Sequence, residues 1–308
     1  MILMCLGGLA ALALGGELLV RGAVGIATCM GLSSMFTGLV IMGSATSIPE
    51  MVTSIEAALA GSPGIAWGNI AGSNIANTFL ILGATALVSP IILTGVGRRD
   101  AVIALLVSVL VLVLAWQQIA SVLVGAGLLG LIVFYIVWRY RHPRPSELEE
   151  DEDEDADEAG LSLLRQVMFF FFGLGVLIIG GQMLVSGAID LAQMAGVGET
   201  VIGLTVVAVG TSLPELAASI TAALRGKSSL AVGNVIGSNI YNLLLIGGVT
   251  MAITPIAVPL ELTRFALPLI VASAFMMVLL CWFAHRINRW LGALLVSAFA
   301  ANTILLFA

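Results

Sequence analysis

Polar and helix-breaking residues are sparse along this chain, and they cut it into ten apolar stretches of helix-spanning length. The pattern predicts spans over 2–28, 33–59, 64–88, 100–116, 119–138, 165–193, 200–224, 229–253, 264–284 and 289–307. A bilayer core about 30 Å thick takes roughly 20 helical residues to cross, and no stretch shows the alternation of a membrane barrel strand. Breaks fall at Gly61-Ser62-Pro63, from Gly95 to Asp100, at Gln117-Gln118, over 139–164, from Gly196 to Glu199, from Gly226 to Ser229, and from Pro255 to Glu261. The expected class is all-α: a polytopic membrane protein.

The pattern then repeats. Gly43-Ser44-Ala45-Thr46-Ser47-Ile48-Pro49-Glu50 returns as Ala208-Val209-Gly210-Thr211-Ser212-Leu213-Pro214-Glu215, 165 residues on. Gly68-Asn69-Ile70-Ala71-Gly72-Ser73-Asn74-Ile75-Ala76-Asn77 returns as Gly233-Asn234-Val235-Ile236-Gly237-Ser238-Asn239-Ile240-Tyr241-Asn242 at the same offset. Between Gly15 and Ile91, 34 of 77 positions are identical to their counterparts without a gap. The chain therefore divides into a first repeat, 1–138, a linker, 139–164, and a second repeat, 165–308. Five spans per repeat is an odd number, so the second repeat is expected to enter the membrane from the opposite side. Inverted repeats with broken, polar-bearing helices at matching places mark the midplane site of a secondary transporter.

Composition sharpens this picture. Hydrophobic residues make up 60% of the chain and charged residues 10%, with a mean hydropathy of +1.13. Ten of the 18 acidic residues lie between Glu147 and Glu158, so the net charge of −6 belongs to the linker. That run reads as a solvated connector, with a screened cation antenna as the rival reading. No cleavable signal pattern opens the sequence. Cys5, Cys29 and Cys281 have no paired spacing and read as packing residues. Placing the N-terminus outside puts Arg98, Arg99, Arg139, Arg141, Arg144, Arg165, Arg225, Lys227, Arg286 and Arg289 on the cytoplasmic side, with Arg264 outside and Arg21 in the first span. By the positive-inside rule both termini are extracytoplasmic and the acidic linker is cytoplasmic, in a cytoplasmic (inner) membrane.

The chemistry concentrates at the duplicated motifs. Glu50 and Glu215 sit near the middle of apolar spans, where an ionised group costs at least about 2.5–3.5 kcal/mol. No Lys, Arg or His stands at that depth to neutralise them, which points to a bound cation; two protonated acids bonded between helices are the structural rival. Thr46 and Ser47 precede Glu50 by four and three residues, and Thr211 and Ser212 repeat this before Glu215, so each trio is expected on one helix face. Pro49 and Pro214 lack an N–H, which is expected to free the carbonyls of Ala45 and Gly210. On the following helices Ser73 and Asn77, and Ser238 and Asn242, are again four apart. Carboxylate, amide, hydroxyl and carbonyl oxygens without sulfur or imidazole suit Ca²⁺ or Na⁺. The Gly68/Gly72 and Gly233/Gly237 pairs read as helix-packing motifs. Asn69, Asn74, Asn234 and Asn239 are held outside the ligand set and expected to cap or bridge helices. Glu17 and Arg21, four apart, read as a local pair.

These motifs resemble the alpha-repeats of the calcium/cation antiporter superfamily, and most closely its sodium/calcium exchanger branch in compact prokaryotic form. The resemblance spans both halves. It implies ten helices, with the second, third, seventh and eighth forming a diamond-shaped set of ion sites and the first and sixth sliding across that core. It further implies that Glu50, Glu215, Thr46, Ser47, Thr211, Ser212, Ser73, Asn77, Ser238, Asn242 and the carbonyls of Gly43 and Ala208 bind the ions. Some prokaryotic exchangers carry an acid where Asn242 stands here, and the first motif reads Gly43-Ser44-Ala45 against Ala208-Val209-Gly210. Three-for-one electrogenic exchange is the family expectation.

The function expected is Na⁺/Ca²⁺ antiport by alternating access. The transported ions are the substrates, no resident cofactor or nucleic acid is expected, and a monomer in the lipid bilayer is compatible with the sequence. A Ca²⁺/H⁺ antiporter on the same scaffold is the nearest rival, although the Gly-Asn-x-x-Glu signature of proton-coupled relatives is absent. A cation channel would share the oxygen lining. An intramembrane enzyme is disfavoured because no nucleophile–base pair lies at membrane depth.

Overall fold

Apolar sequence with abundant glycine and few turns favours long helices packed at close range, and a computed structural model shows them. The structure describes residues 2–93, 95, 97–143, 162–194, 208–255 and 257–305. In chain order the helices are α1 Ile2–Met30, α2 Ser34–Thr46, α3 Ile48–Leu59, α4 Pro63–Val88, α5 Arg98–Trp116 and α6 Val122–Arg141. The second half gives α7 Leu163–Met194, α8 Ala208–Gly210, α9 Leu213–Leu224, α10 Ser228–Ile253, α11 Leu260–Phe283 and α12 Arg289–Leu305. Among the described residues seven helices are long and apolar enough to cross a membrane, or eight with the bent pair α2–α3 taken as one span; α9 and α12 are shorter apolar helices.

Several expected boundaries shift. The single helix expected over 33–59 is two, bent by 43° between Thr46 and Ile48, because Pro49 fits the first turn of a new helix and not the interior of an old one. The helix expected over 119–138 continues to Arg141, which draws Arg139 out of the anticipated linker. Residues 200–207 of the seventh expected span, 306–307 of the tenth, and the acidic run 147–158 lie outside the described residues. The all-α expectation has one small exception, a two-residue antiparallel ribbon pairing β1, Ile91–Ile92, with β2, Arg286–Ile287.

Packing follows the repeat. α3 lies on α4 as α9 lies on α10, and α6 lies on the end of α10 as α12 lies on the end of α4. α1 pairs with α7 and α5 with α11, each helix meeting its own counterpart. Glycine makes the α1–α7 approach possible: a Cβ on Gly22 would stand 2.4 Å from the Phe170 nitrogen, and one on Gly173 2.4 Å from the Leu19 nitrogen. The same holds between α2 and α10, where a Cβ on Gly237 would meet the Leu39 carbonyl oxygen at 2.3 Å and one on Gly233 the Met35 oxygen at 2.7 Å. The packing expected of Gly233 and Gly237 is thus present. The partners that the offset would give Gly68 and Gly72 fall at 200–204, outside the described residues.

One end of the molecule gathers the basic breaks. β1 binds Ser228 through the Ile92 N–H (3.1 Å), and Ser89 donates to the Ala223 carbonyl. Arg98 donates to the Cys281 carbonyl at 3.0 Å, and Arg99 lies over the Trp138 ring. Between them Asp100 and Arg139, each 1% exposed, form an ion pair at 3.1 Å, and the Tyr135 hydroxyl donates to the same Asp100 oxygen at 2.9 Å. This pair ties the start of α5 to the end of α6. Removing one partner of a buried pair strands the other charge, so Asp100→Asn or Arg139→Gln is expected to cost about 3–5 kcal/mol. Asp100→Leu combined with Arg139→Leu should recover most of that loss, as read by thermal unfolding in detergent.

Candidate ion-binding site

The site grows from the helix break. Ser47 and Ser212 leave helical geometry, with φ/ψ of −80°/7° and −91°/8°, and each stands at the N-cap of a new helix whose second residue is proline. Glu50 and Glu215 therefore occupy the first turns of α3 and α9, where free N–H groups and the helix dipole favour negative charge. This revises the expectation that Thr46, Ser47 and Glu50 share one face of a continuous helix. The chain turns between them, and their side-chain bonds go to other partners, Thr46 to the Met42 carbonyl, Ser47 to Glu215 and Glu50 to Ser212. The freed Ala45 carbonyl is likewise taken up locally, by the Ser47 N–H.

Both carboxylates are buried, at 1% and 2% exposure. They are linked crosswise: Ser212 Oγ donates to Glu50 Oε1 at 3.2 Å, and Ser47 Oγ to Glu215 Oε1 at 3.4 Å. Each hydroxyl thus serves the carboxylate of the other half. Such reciprocity is the signature of a two-fold relation, residue i meeting j while j meets i. Ser238 Oγ reaches the Gly43 carbonyl at 3.4 Å, bringing two further expected ligands together across the halves. Ser73, Asn77, Ser238 and Asn242 are all buried on the adjoining helices. Thr46 bonds its own helix at the Met42 carbonyl, Thr211 lies in the turn between α8 and α9, and Ala208 opens α8.

The polar atoms left over define the site's chemistry. Glu50 Oε2, Glu215 Oε2, Ser73 Oγ, Asn77 Oδ1 and Nδ2, Asn242 Oδ1 and Thr211 Oγ1 are buried without a hydrogen-bond partner. An unmade hydrogen bond at a buried group costs roughly 1–3 kcal/mol, so the oxygens of this set, the Asn77 Nδ2 donor apart, suit a ligand that oxygen atoms can hold. A hard cation is one.

Two further features lay outside the expected ligand set. Asn69 Nδ2 donates to the Glu50 backbone carbonyl at 3.0 Å and to Ser54 Oγ at 2.9 Å; Asn234 Nδ2 donates to Ser219 Oγ at 3.0 Å and the Glu215 carbonyl at 3.4 Å. These are the bridging asparagines anticipated, here clamping the very residues that carry the carboxylates. Their place was legible in the spacing, since Asn69 precedes Ser73 by one turn and Ser54 follows Glu50 by one. Asn74 and Asn239 bond elsewhere, to the Ile70 carbonyl and to Thr78. The second feature had no sequence signal: π-helical turns at Thr37–Met42, Asn77–Ile81 and Asn242–Ile246. Each widens a helix beside the site, as such turns often do where side chains must be re-aimed.

Comparison with known proteins accords with this geometry. The family model described as sodium/calcium exchanger protein matches residues 1–141 and 165–308. The chain is 34% identical to the putative antiporter CaxA of Alkalimonas amylolytica, covering 98% of this chain and 97% of that one. It is 32% identical to the sodium/calcium exchanger MaX1 of Methanosarcina acetivorans (97% and 96% covered) and 33% identical to the inner membrane protein YrbG of Escherichia coli (90% and 87%). A solved structure of the sodium-calcium exchanger NCX_Mj, soaked with 10 mM Na⁺ and zero Ca²⁺, superposes with a TM-score of 0.84 at 30% identity, covering 97% of this chain and 96% of that one. The fold and the relatives are those of a cation antiporter of the membrane, a family of transporters and not of enzymes. The chain belongs to the sodium/calcium exchanger family.

The asparagine clamps make a test of the reciprocity. Asn69→Ala should cost about 1–3 kcal/mol of stability by stranding buried acceptors, and Asn234→Ala should cost a similar amount by thermal unfolding. A loss confined to one half would contradict the two-fold reading of the site.

Proposed function

We propose that the protein exchanges Na⁺ for Ca²⁺ across the cytoplasmic membrane, both ions competing for the oxygens around Glu50 and Glu215. The observation that carries this reading is the crossed hydroxyl–carboxylate pair, which leaves one oxygen of each buried glutamate without a partner. Two carboxylates balance one Ca²⁺ or two Na⁺, and as a pair of ionised groups they are costly in an apolar interior without a cation. Thr46, Ser47, Thr211, Ser212, Ser73, Asn77, Ser238, Asn242 and the carbonyls of Gly43 and Ala208 complete the proposed coordination.

We read the fold as ten spans in two inverted five-helix repeats, both termini outside. The crosswise pairing of halves supports the two-fold relation. The clustering of the 89–99, 223–228 and 281–287 segments at one end, with their arginines, supports the orientation. Alternating access then follows as an exchange of roles between near-equivalent halves around a fixed midplane site.

The reading is tested by Ca²⁺ uptake into proteoliposomes, pH clamped by protonophore, with an outward Na⁺ gradient imposed or omitted. Uptake is expected to require the Na⁺ gradient and to fall to background in Glu50→Gln and in Glu215→Gln. Uptake driven by a pH gradient and indifferent to Na⁺ would establish proton coupling instead. Flux without any counter-gradient would make the protein a channel, and full activity in either glutamine variant would remove the site assignment.

A further inference from the structure

The two halves match at the carboxylates but not at the helix pair beside them. α1 and α7 both pack on α9, while α3, the counterpart of α9, has no comparable interface with either. The apolar cluster that holds the pair is built from α1, α7, the end of α2, Ala218, Ala222 and Ala223 of α9, and Leu230 and Ala231 of α10, with no residue of α3. Counterpart glycines record the same bias. A Cβ on Gly16 would stand 2.7 Å from Thr221 Oγ1 on α9, whereas one on Gly181 would have nothing nearer than Leu213 Cβ at 3.8 Å. Val52 and Glu56, on the face of α3 that mirrors Ala217 and Thr221, are exposed. The α1–α7 pair therefore leans on one of two near-equivalent seats.

A charged contact fastens it there. Glu17, four turns into α1, reaches across to Arg225 at the end of α9: the guanidinium Nε donates to Oε2 at 3.1 Å and NH2 donates to Oε1, a bidentate fork. Arg21, the local partner expected for Glu17, lies over the Phe169 ring of α7. The fork is a charged link between α1 and α9, and the repeat does not duplicate it. At the 165-residue offset Glu17 becomes Gln182 and Arg225 becomes Ala60. If the pair moved to the α3 seat, the positions facing one another would be Gln182 and Ala60, which form no ion pair between the helices.

We propose that the Glu17–Arg225 ion pair is a one-sided latch, holding α1 and α7 against α9 and biasing the protein toward this arrangement over its mirror. The inference rests on the reading that the halves exchange roles during transport. It does not depend on which ions are carried.

Hydrogen–deuterium exchange on the full-length protein in lipid nanodiscs, without any ion gradient, reads the bias directly. In the unaltered protein, 213–224 should be better protected than 48–59. Glu17→Gln and Arg225→Gln should each speed exchange over 213–224 and slow it over 48–59. Partly exposed ion pairs are typically worth 0.2–1 kcal/mol, so the shift should be about one-and-a-half- to fivefold. Exchanging the charges, Glu17→Arg with Arg225→Glu, should restore the original pattern. Building the pair on the other half, Gln182→Glu with Ala60→Arg in the Glu17→Gln, Arg225→Gln background, should transfer protection to 48–59. Unchanged exchange in the single variants, or no restoration by the charge exchange, would overturn the latch. Because this readout needs no flux, a protein that shifts in exchange yet moves no Ca²⁺ would remove the proposed function and leave the latch standing.

Discussion

Two carboxylates buried within apolar helices are the constraint from which the rest of the structure follows. An ionised group at such depth is tolerated only where charge, dipoles and hydrogen bonds are arranged around it. The chain supplies these in sequence order. A break at Ser47 and Ser212 puts each glutamate in the first turn of a new helix, with N–H groups and a positive dipole end close by. Asparagine from the next helix fixes the glutamate's backbone, and serine from the opposite half caps one carboxylate oxygen. Glycines on α10 let α2 come close enough for this to happen. What the protein leaves undone is the second oxygen of each carboxylate. That remaining demand is what the proposed cation would meet.

Duplication explains why so few residue types suffice. A single copy of the motif offers a carboxylate and a hydroxyl that face away from one another along the chain. The second copy supplies what the first lacks, because Ser212 meets Glu50 and Ser47 meets Glu215. The same economy governs the helix pairs, where α1 meets α7 and α5 meets α11 as counterparts. The composition of the candidate site is of one kind: oxygen donors around two acids, a set of the type that hard cations prefer.

Much of this was legible in the sequence. The repeat register paired the candidate residues to the position, since a gapless offset of 165 carries Thr46, Ser47, Glu50, Ser73 and Asn77 onto Thr211, Ser212, Glu215, Ser238 and Asn242. Apolar run lengths located most of the described helices to within a few residues, the break inside 33–59 apart. Three things were not legible, each for a physical reason. Pro49 could kink a helix or start one, and only tertiary packing decides between those outcomes. The π-helical turns at Asn77 and Asn242 are backbone responses to neighbouring helices and have no residue signature. Partner choice at Glu17 was read from local spacing, while Arg225 lies 208 residues away and is brought near only by the fold. Local spacing proposes partners; packing selects them.

The mismatch between a symmetric site and an asymmetric helix pair bears on how such a protein moves. A strictly two-fold molecule would hold the α1–α7 pair midway, with neither seat preferred. A site that must open to each side in turn needs the opposite: two unlike arrangements of similar energy, exchanged without rebuilding the core. Identity of Thr46, Ser47 and Glu50 with Thr211, Ser212 and Glu215 keeps the polar lining common to both halves. Divergence at the rim, where Glu17 and Arg225 face Gln182 and Ala60 across the repeat, sets which arrangement rests. A ligand shifts such an equilibrium only by its differential affinity for the two states, and the resting bias fixes how large that difference must be. An exposed ion pair worth 0.2–1 kcal/mol is well matched to that task, strong enough to tilt the equilibrium and weak enough for ion binding to reverse it.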